Sequence, residues 1–249
     1  MLKRFVDVTI SAIVVSLTSP IWLAAAAAIW IESGRPILFR QQRVGRGFTT
    51  FKILKFRTMS PAVSGPSVTV AGDKRITRVG RFLRATKVDE LPQFWNVLRG
   101  DMSIVGPRPE LQHYVELFRQ RYDNILTVRP GITDLASIRY RNEEEILARS
   151  DNPLRCYQEE VLPRKLDLAD QYLRERSTWR DAIIIAKTVF EVLAPSVHYS
   201  DIHKNWNPTA QSSRRATTDA SGLMTSFSEP RHPQDPSQVK NSAVPRQVQ

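Results

Sequence analysis

Asp89 and Glu90 stand side by side in "RATKVDELPQFWNVLRGDMSIVGPRPE", a stretch from Arg84 to Glu110 otherwise marked by basic residues and prolines. Adjacent carboxylates can serve two ends. At a helix start one of them accepts backbone N–H bonds, and the positive helix end favours their charge. In a reactive site one acts as nucleophile or holds a divalent cation, while its neighbour tunes it or handles a proton. Two neighbouring carboxylates repel each other and raise one pKa, which nearby cations oppose. Arg84 and Arg108 flank the pair in sequence. Guanidinium forks match phosphate oxygens, and the two prolines of "GPRPE" limit the entropy Arg108 loses on binding. Acid, divalent cation and arginines together fit phosphoryl transfer.

Other chemistries lack their signatures. There is no Walker glycine loop, dinucleotide fingerprint, zinc spacing or nucleophile elbow. The four histidines, His113, His198, His203 and His232, are scattered. The single cysteine, Cys156, excludes an internal disulfide and fits a reducing compartment.

The charge is placed to meet an anion. The 249 residues carry 36 Lys and Arg against 25 Asp and Glu, a net of +11. Arg35 to Arg108 alone holds 15 basic and four acidic residues, so this block carries the whole excess. A basic block of this kind implies nucleic acid, a membrane surface or a phosphorylated small molecule.

The elements that must position these residues begin with "VTISAIVVSLTSPIWLAAAAAIWI", Val8 to Ile31, 24 residues without a charge. A straight helix of that length reaches ~36 Å, enough to cross a bilayer. A signal peptide is disfavoured by the length of the segment and by Asp7 beside it. A single crossing conflicts with basic residues at both ends, Lys3 and Arg4 before and Arg35, Arg40, Arg43 and Arg46 after. Pro20 offers a third path. It removes an N–H and kinks a helix, while Thr18 and Ser19 can bond freed carbonyls, so a bent helix could enter and leave by one face. On composition alone the re-entrant path and the plain span both stay open.

Beyond it, Gly34–Met59 reads as a strand pair or extended loop, and Ser60–Asp73 as a mobile loop. Ile76, Val79 and Leu83 predict a helix interleaved with arginines. A second helix is predicted to start at an Asp89 cap, to carry Leu91, Phe94, Trp95 and Leu98, and to end at Gly100. A further amphipathic helix carries Leu111, Tyr114, Val115, Phe118 and Tyr122, followed by a turn and an extended polar segment over Val128–Glu145. Helices are also expected from Pro163 to about Arg174 and after a cap at Ser177. Ser196–Gln249, rich in Ser, Thr, Pro, Gln and Arg, reads as a disordered tail.

Read in order, "KRFVDV", "SP", "PILFRQQRVGRG", "FKILKFRTM", "DKRITRVGRFLR", "DELPQFWNVLRGDMSIVGPRPE" and "VRPGIT" closely resemble the bacterial sugar transferases called monotopic phosphoglycosyl transferases, over about Lys3 to Leu193. The resemblance implies an α+β fold: a re-entrant membrane helix over residues 1–33 bent at Ser19 and Pro20, and a catalytic domain over 34–195 with amphipathic interfacial helices and a small β element. It implies transfer of a phosphosugar from a UDP-sugar to a polyprenyl (undecaprenyl) phosphate, with release of UMP, to initiate a membrane-linked glycan. Asp89 is then the nucleophile of a covalent intermediate and the Mg²⁺-associated residue, and Glu90 its partner. Arg84, Arg108 and Arg141 match phosphate-binding arginines. The implied location is monotopic on the bacterial inner membrane, catalytic domain on the cytoplasmic face, with membrane lipids as partners and no nucleic acid.

Asp134 departs from the family pattern, which commonly has glycine after Pro-Gly-Ile-Thr, and "ASIRYRN" replaces the usual following run. Two rival classes remain. A nucleic-acid-binding protein explains the charge but not the apolar segment. A basic, non-catalytic membrane scaffold explains both, but not an acidic dyad between arginines.

Overall fold

A computed structural model describes residues 2–60, 65 and 68–193. The expected tail lies outside the described residues, as do residues 61–64, 66 and 67 of the loop predicted over Ser60–Asp73. The described chain is mixed α and β, dominated by helices around two small sheets.

Helix α1 (Leu2–Ser33) is continuous through Pro20. Proline deprives the carbonyl one turn back of its partner. Ser19 Oγ donates to that same carbonyl, Ser16 O, at 2.9 Å, and Thr18 Oγ1 donates to Val14 O at 2.7 Å. The backbone-satisfying role expected of these hydroxyls is met inside an unbroken helix. Ile13, Leu17, Ile21, Leu23 and Trp30 are exposed along it, whereas Asp7, Ser11, Ala25 and Ile29 are buried.

Burial therefore concentrates towards the two ends of α1. Near the start, Arg4 donates to the carbonyls of Val97 and Leu98 at 2.6 and 3.1 Å. Asp7, the lone acid before the apolar run, accepts from Ser103 Oγ at 2.8 Å and from the Ile104 N–H at 3.2 Å. At the far end, the Glu32 carboxylate accepts from the N–H groups of Arg78 and Val79, and Arg57 donates to Ser33. One helix is thus pinned at both ends to the same body.

The predicted strand pair is an antiparallel hairpin of β1 (Leu38–Val44) and β2 (Thr50–Phe56), in register from Leu38 opposite Phe56 to Val44 opposite Thr50. Strand alternation sends Phe51, Ile53 and Lys55 to one face and Lys52, Leu54 and Phe56 to the other. Ile53 joins a core with Val97, Met102, Ile104 and Val105, while Phe56 joins Ala25, Ile29 and Leu83 under α1. Each such buried aliphatic side chain contributes roughly 1.5–3 kcal/mol.

Helix α2 (Arg78–Ala85) starts two residues after Ile76, because Thr77 caps it by accepting from the Gly80 N–H. Helix α3 (Gln93–Arg99) ends at Gly100, whose φ of 95° suits glycine, as predicted. Its start corrects the sequence reading. Pro92, not Asp89, precedes the first turn, and Asp89 sits in a separate 3-10 turn, Val88–Glu90. Asn96 of α3 fastens the helix to the hairpin by accepting from Leu54 N–H and donating to Lys52 O.

Strand β3 (Ser103–Val105) pairs in parallel with β4 (Gly131–Thr133). The chains meet so closely that a Cβ on Gly131 would lie 2.2 Å from Gly106 N. The helix predicted around Leu111–Tyr122 is two, α4 (Gln112–Leu117) and α5 (Arg119–Ile125), broken at Phe118. The extended polar segment expected at Val128–Glu145 is instead β4 followed by α6 (Leu135–Arg139) and the start of α7 (Glu143–Ala148). Asp134 caps α6 by accepting from Ser137 N–H, which turns the chain out of extended backbone. The short α8 (Pro153–Cys156) precedes α9 (Leu162–Glu175) and α10 (Thr178–Leu193), both close to their predicted bounds. Ser177 Oγ accepts from Arg180 N–H, as its capping role requires.

Candidate active site

The dyad sits between α2 and α3, on a turn entered through Lys87 in left-handed backbone at φ 58°. The two carboxylates have opposite surroundings. Glu90 Oε1 accepts from Lys55 Nζ at 2.8 Å and from Arg108 Nη2 at 2.6 Å. Asp89 is 6% exposed, and its Oδ1 is buried with no hydrogen-bond partner. The capping reading of Asp89 is thereby withdrawn, because no helix N–H claims that oxygen.

Electrostatics separates the pair further. Burial, then the charge of Glu90, pushes the Asp89 carboxyl up to about 6, against the opposing pull of Lys55, Lys87 and Arg84. Burial also works against ionising Glu90, but the charges of Arg108 and Lys55 outweigh it and hold that carboxyl well below the usual range. Burial lowers the Lys55 ammonium, with Glu90 resisting. The charge of Glu90 raises the Arg108 guanidinium, and Asp134 adds to this. Glu90 is therefore a committed anion locked between two cations. Asp89 is a free carboxylate within reach of neutral pH.

Lys55 was not singled out in the sequence. Its signal was available in the alternation of "FKILKF", which places it on the core-facing side with Ile53. A lysine on that side needs an acid.

Arg108 is held from behind as well as in front. The Asp134 carboxylate, 3% exposed, accepts from the Arg108 backbone N–H at 3.1 Å through one oxygen and from Ser137 N–H at 2.6 Å through the other. Its backbone, at φ −157°, is extended and needs no glycine. Glu110 closes the other end of the Pro-Arg-Pro segment. It accepts from Tyr157 OH at 2.7 Å and pairs with Arg43 at 3.2 Å. Burial opposes its ionisation, but Arg43 and Lys165 keep its carboxyl below the usual range.

The other predicted arginines divide. Arg84, at the end of α2, pairs with Glu144 at 3.1 Å, and its charge is felt at Asp89. Arg141 is turned to α10, where it bonds the Glu191 carbonyl and pairs with the Glu191 carboxylate at 3.1 Å. Its described bonds include none to Asp89, Glu90 or Arg108. Ser19 and Pro20 lie in α1, where the Ser19 hydroxyl bonds the Ser16 carbonyl that Pro20 leaves without a partner.

Among the described residues no three His, Cys, Asp or Glu side chains cluster as a metal cage. Asp89 Oδ1 is nonetheless an unclaimed buried acceptor. Mg²⁺ is commonly bound by one or two carboxylates with substrate phosphates and water. The donor set fits an ion that arrives with a phosphorylated substrate.

Comparison with known proteins agrees with this chemistry. The family described as "Bacterial sugar transferase" matches residues 1–195. The chain is 41% identical to a UDP-glucose:undecaprenyl-phosphate glucose-1-phosphate transferase of Caulobacter vibrioides, covering 79% of this chain and 72% of that protein. It is 37% identical to a UDP-N-acetylgalactosamine-undecaprenyl-phosphate N-acetylgalactosaminephosphotransferase of Aeromonas hydrophila, over 77% of this chain and 44% of the relative. It is 38% identical to a UDP-glucose:undecaprenyl-phosphate glucose-1-phosphate transferase of Escherichia coli, over 77% and 40%. The chain thus spans less than half the length of these last two.

Proposed function

Since the chain belongs to the bacterial sugar transferase family, we propose that it moves a phosphosugar from a UDP-sugar to undecaprenyl phosphate through a covalent intermediate on Asp89. The observation that carries this reading is the buried, unpartnered Oδ1 of Asp89 next to a Glu90 already neutralised by Lys55 and Arg108.

In the first step a carboxylate oxygen of Asp89 attacks the sugar-linked phosphorus. An acyl–phosphate bond forms, the bond to the UMP phosphate breaks, and UMP leaves with its electron pair. In the second step a phosphate oxygen of the lipid attacks the same phosphorus. The acyl–phosphate bond breaks and the Asp89 carboxylate is restored, with the sugar now on a lipid diphosphate. A carboxylate needs no base to become a nucleophile once ionised. Arg108, held by Glu90 and Asp134, is placed to meet phosphate charge, and Arg84 adds positive field. Asp89 would hold Mg²⁺, which would supply further charge neutralisation.

The membrane path belongs to the same proposal. Helix α1 enters and leaves the lipid from one face, with Ser19 and Pro20 at depth and the catalytic domain on the cytoplasmic side of the inner membrane. Support comes from the two ends of α1 bonding to one body and from the basic residues flanking both ends.

The test is incubation of the detergent-solubilised protein with undecaprenyl phosphate, Mg²⁺ and a panel of UDP-sugars. UMP release with at least one donor is expected. Release with no donor in the panel, alongside an active relative as control, would count against transfer.

A further inference from the structure

A second feature lies on the face of β2 opposite Lys55 and is used by none of the steps assigned to Asp89. A cleft of about 470 Å³ opens between the hairpin, α3 and the middle of α1. Trp22, Leu54 and Trp95 make its apolar wall, and Arg40, Lys52 and Arg99 its cationic side.

The three cations are exposed, and among the described residues none of them has an ion-pair partner. Arg40 lies opposite Leu54 in the hairpin, so Lys52 is its diagonal neighbour on the same face. Such diagonal positions are ~7–8 Å apart, close enough for two long side chains to reach one phosphate. The aromatic side pairs an open ring with an anchored one. Trp95 is 48% exposed on α3. Trp22 is held in orientation by donating to Thr18 Oγ1 at 3.1 Å and by an edge contact with Phe56 at 5.8 Å between ring centroids. From Trp22 the exposed apolar surface continues along α1 through Ile21, Leu23 and Leu17.

We propose that this cleft binds the lipid acceptor, with its phosphate on Arg40, Lys52 and Arg99 and its first isoprene units against Trp22 and Trp95. The proposal rests on the transfer reading above and specifies where its second substrate sits. Charge selects a phosphate monoester over an ordinary phospholipid. A monoester carries about −1.5 to −2 near neutral pH, whereas a diester headgroup phosphate carries only one negative charge for the same three cations. Size agrees, since small-molecule sites span ~300–1,000 Å³ and a longer chain can leave along α1. Pro92 links the cleft to the dyad, lining it three residues after Asp89, while Lys52 and Leu54 reach it from the face of β2 opposite Lys55.

The test uses full-length protein carrying Asp89→Asn in detergent, so that binding is read without turnover, with farnesyl phosphate as the probe. Adding Arg40→Gln and Lys52→Gln should weaken farnesyl phosphate at least tenfold, and Trp95→Ala several-fold. The charge-preserving pair Arg40→Lys and Lys52→Arg should retain binding, which separates loss of charge from loss of fold. UDP-glucose affinity serves as the reference. Unchanged farnesyl phosphate affinity in the glutamine pair overturns the proposal. So does equal competition by dioleoyl phosphatidylglycerol, which would make the cleft a general phospholipid contact, and so does a parallel loss of UDP-glucose, which would assign it to the donor. Absence of UMP release in the transfer assay would instead strike the catalytic reading and leave this binding result standing.

Discussion

The Asp134 carboxylate receives the backbone N–H of Arg108 at 3.1 Å, and so holds the arginine that clamps Glu90. Its second oxygen caps α6 through Ser137. Asp134→Asn keeps only one acceptor oxygen, and its amide group cannot accept from the other N–H. A hydrogen bond to a charged group contributes ~1.5–3 kcal/mol, so a stability loss of that order is expected in thermal or denaturant unfolding. Because Arg108 loses a fixed backbone, KM for the UDP-sugar should rise more than kcat falls. Unchanged KM together with reduced stability would reduce Asp134 to a helix cap.

In the proposed reaction Asp89 must be ionised to attack. Its carboxyl is pushed up to about 6 by burial and by Glu90, so kcat/KM should fall as pH drops through that value and level off above it. An exposed aspartate would hold its activity to nearly two pH units lower. Glu90→Gln removes the charge that helps raise Asp89 and frees Lys55 and Arg108 to stabilise its anion. Both effects have the same sign, so the acid limb should move to lower pH even as the rate falls. A limb that stays in place would show that another group titrates.

How much of this was legible in the sequence depended on length and periodicity. Helices α9 and α10 carry long amphipathic stripes and Ser177 a cap, and they fall where predicted. Gly34–Met59 reads as a strand pair or an extended loop, and the hairpin is the first of these. Strands β3 and β4, three residues each, are too short to show a period, and their pairing rests on glycines 106 and 131 meeting across 25 residues. The start of α3 was misplaced because an acid before a proline looks like a cap, whereas here Asp89 occupies its own turn. For the site, the dyad and Arg108 stood out by residue type. Lys55 and Asp134 did not, since their roles arise only when segments 35 and 26 residues distant fold against Glu90 and Arg108.

The two ends of α1 supply a topological prediction. In a Cys156→Ser background, Leu2→Cys and Arg35→Cys should both be modified from the cytoplasmic side of sealed vesicles. Labelling from opposite sides would refute a re-entrant path. Pro20→Leu restores the N–H that Ser16 O lacks and makes the Ser19 hydroxyl redundant. It should favour a straight crossing, seen as protection of one of the two cysteines.

The last prediction concerns Asp89 itself, and it joins stability to chemistry. A carboxyl whose pKa is raised by folding destabilises the folded state wherever it is ionised. Here the penalty begins as pH rises past the unfolded value near 4 and is complete above about 6. A shift of about two units corresponds to roughly 3 kcal/mol at most, at 1.36 kcal/mol per unit. Asp89→Asn removes that charge in nearly the same volume. Since no helix depends on Asp89 for a cap, the variant should be as stable as the parent or up to that amount more stable at pH 8, and of equal stability near pH 4. It should at the same time fail to release UMP and fail to acquire a phosphosugar on the peptide containing residue 89 when donor is supplied without acceptor. Retained UMP release would remove Asp89 from the reaction. Lost release with lost stability would describe a structural aspartate. Only the pairing of a protein at least as stable as the parent with a dead first step matches a nucleophile kept buried and unpartnered.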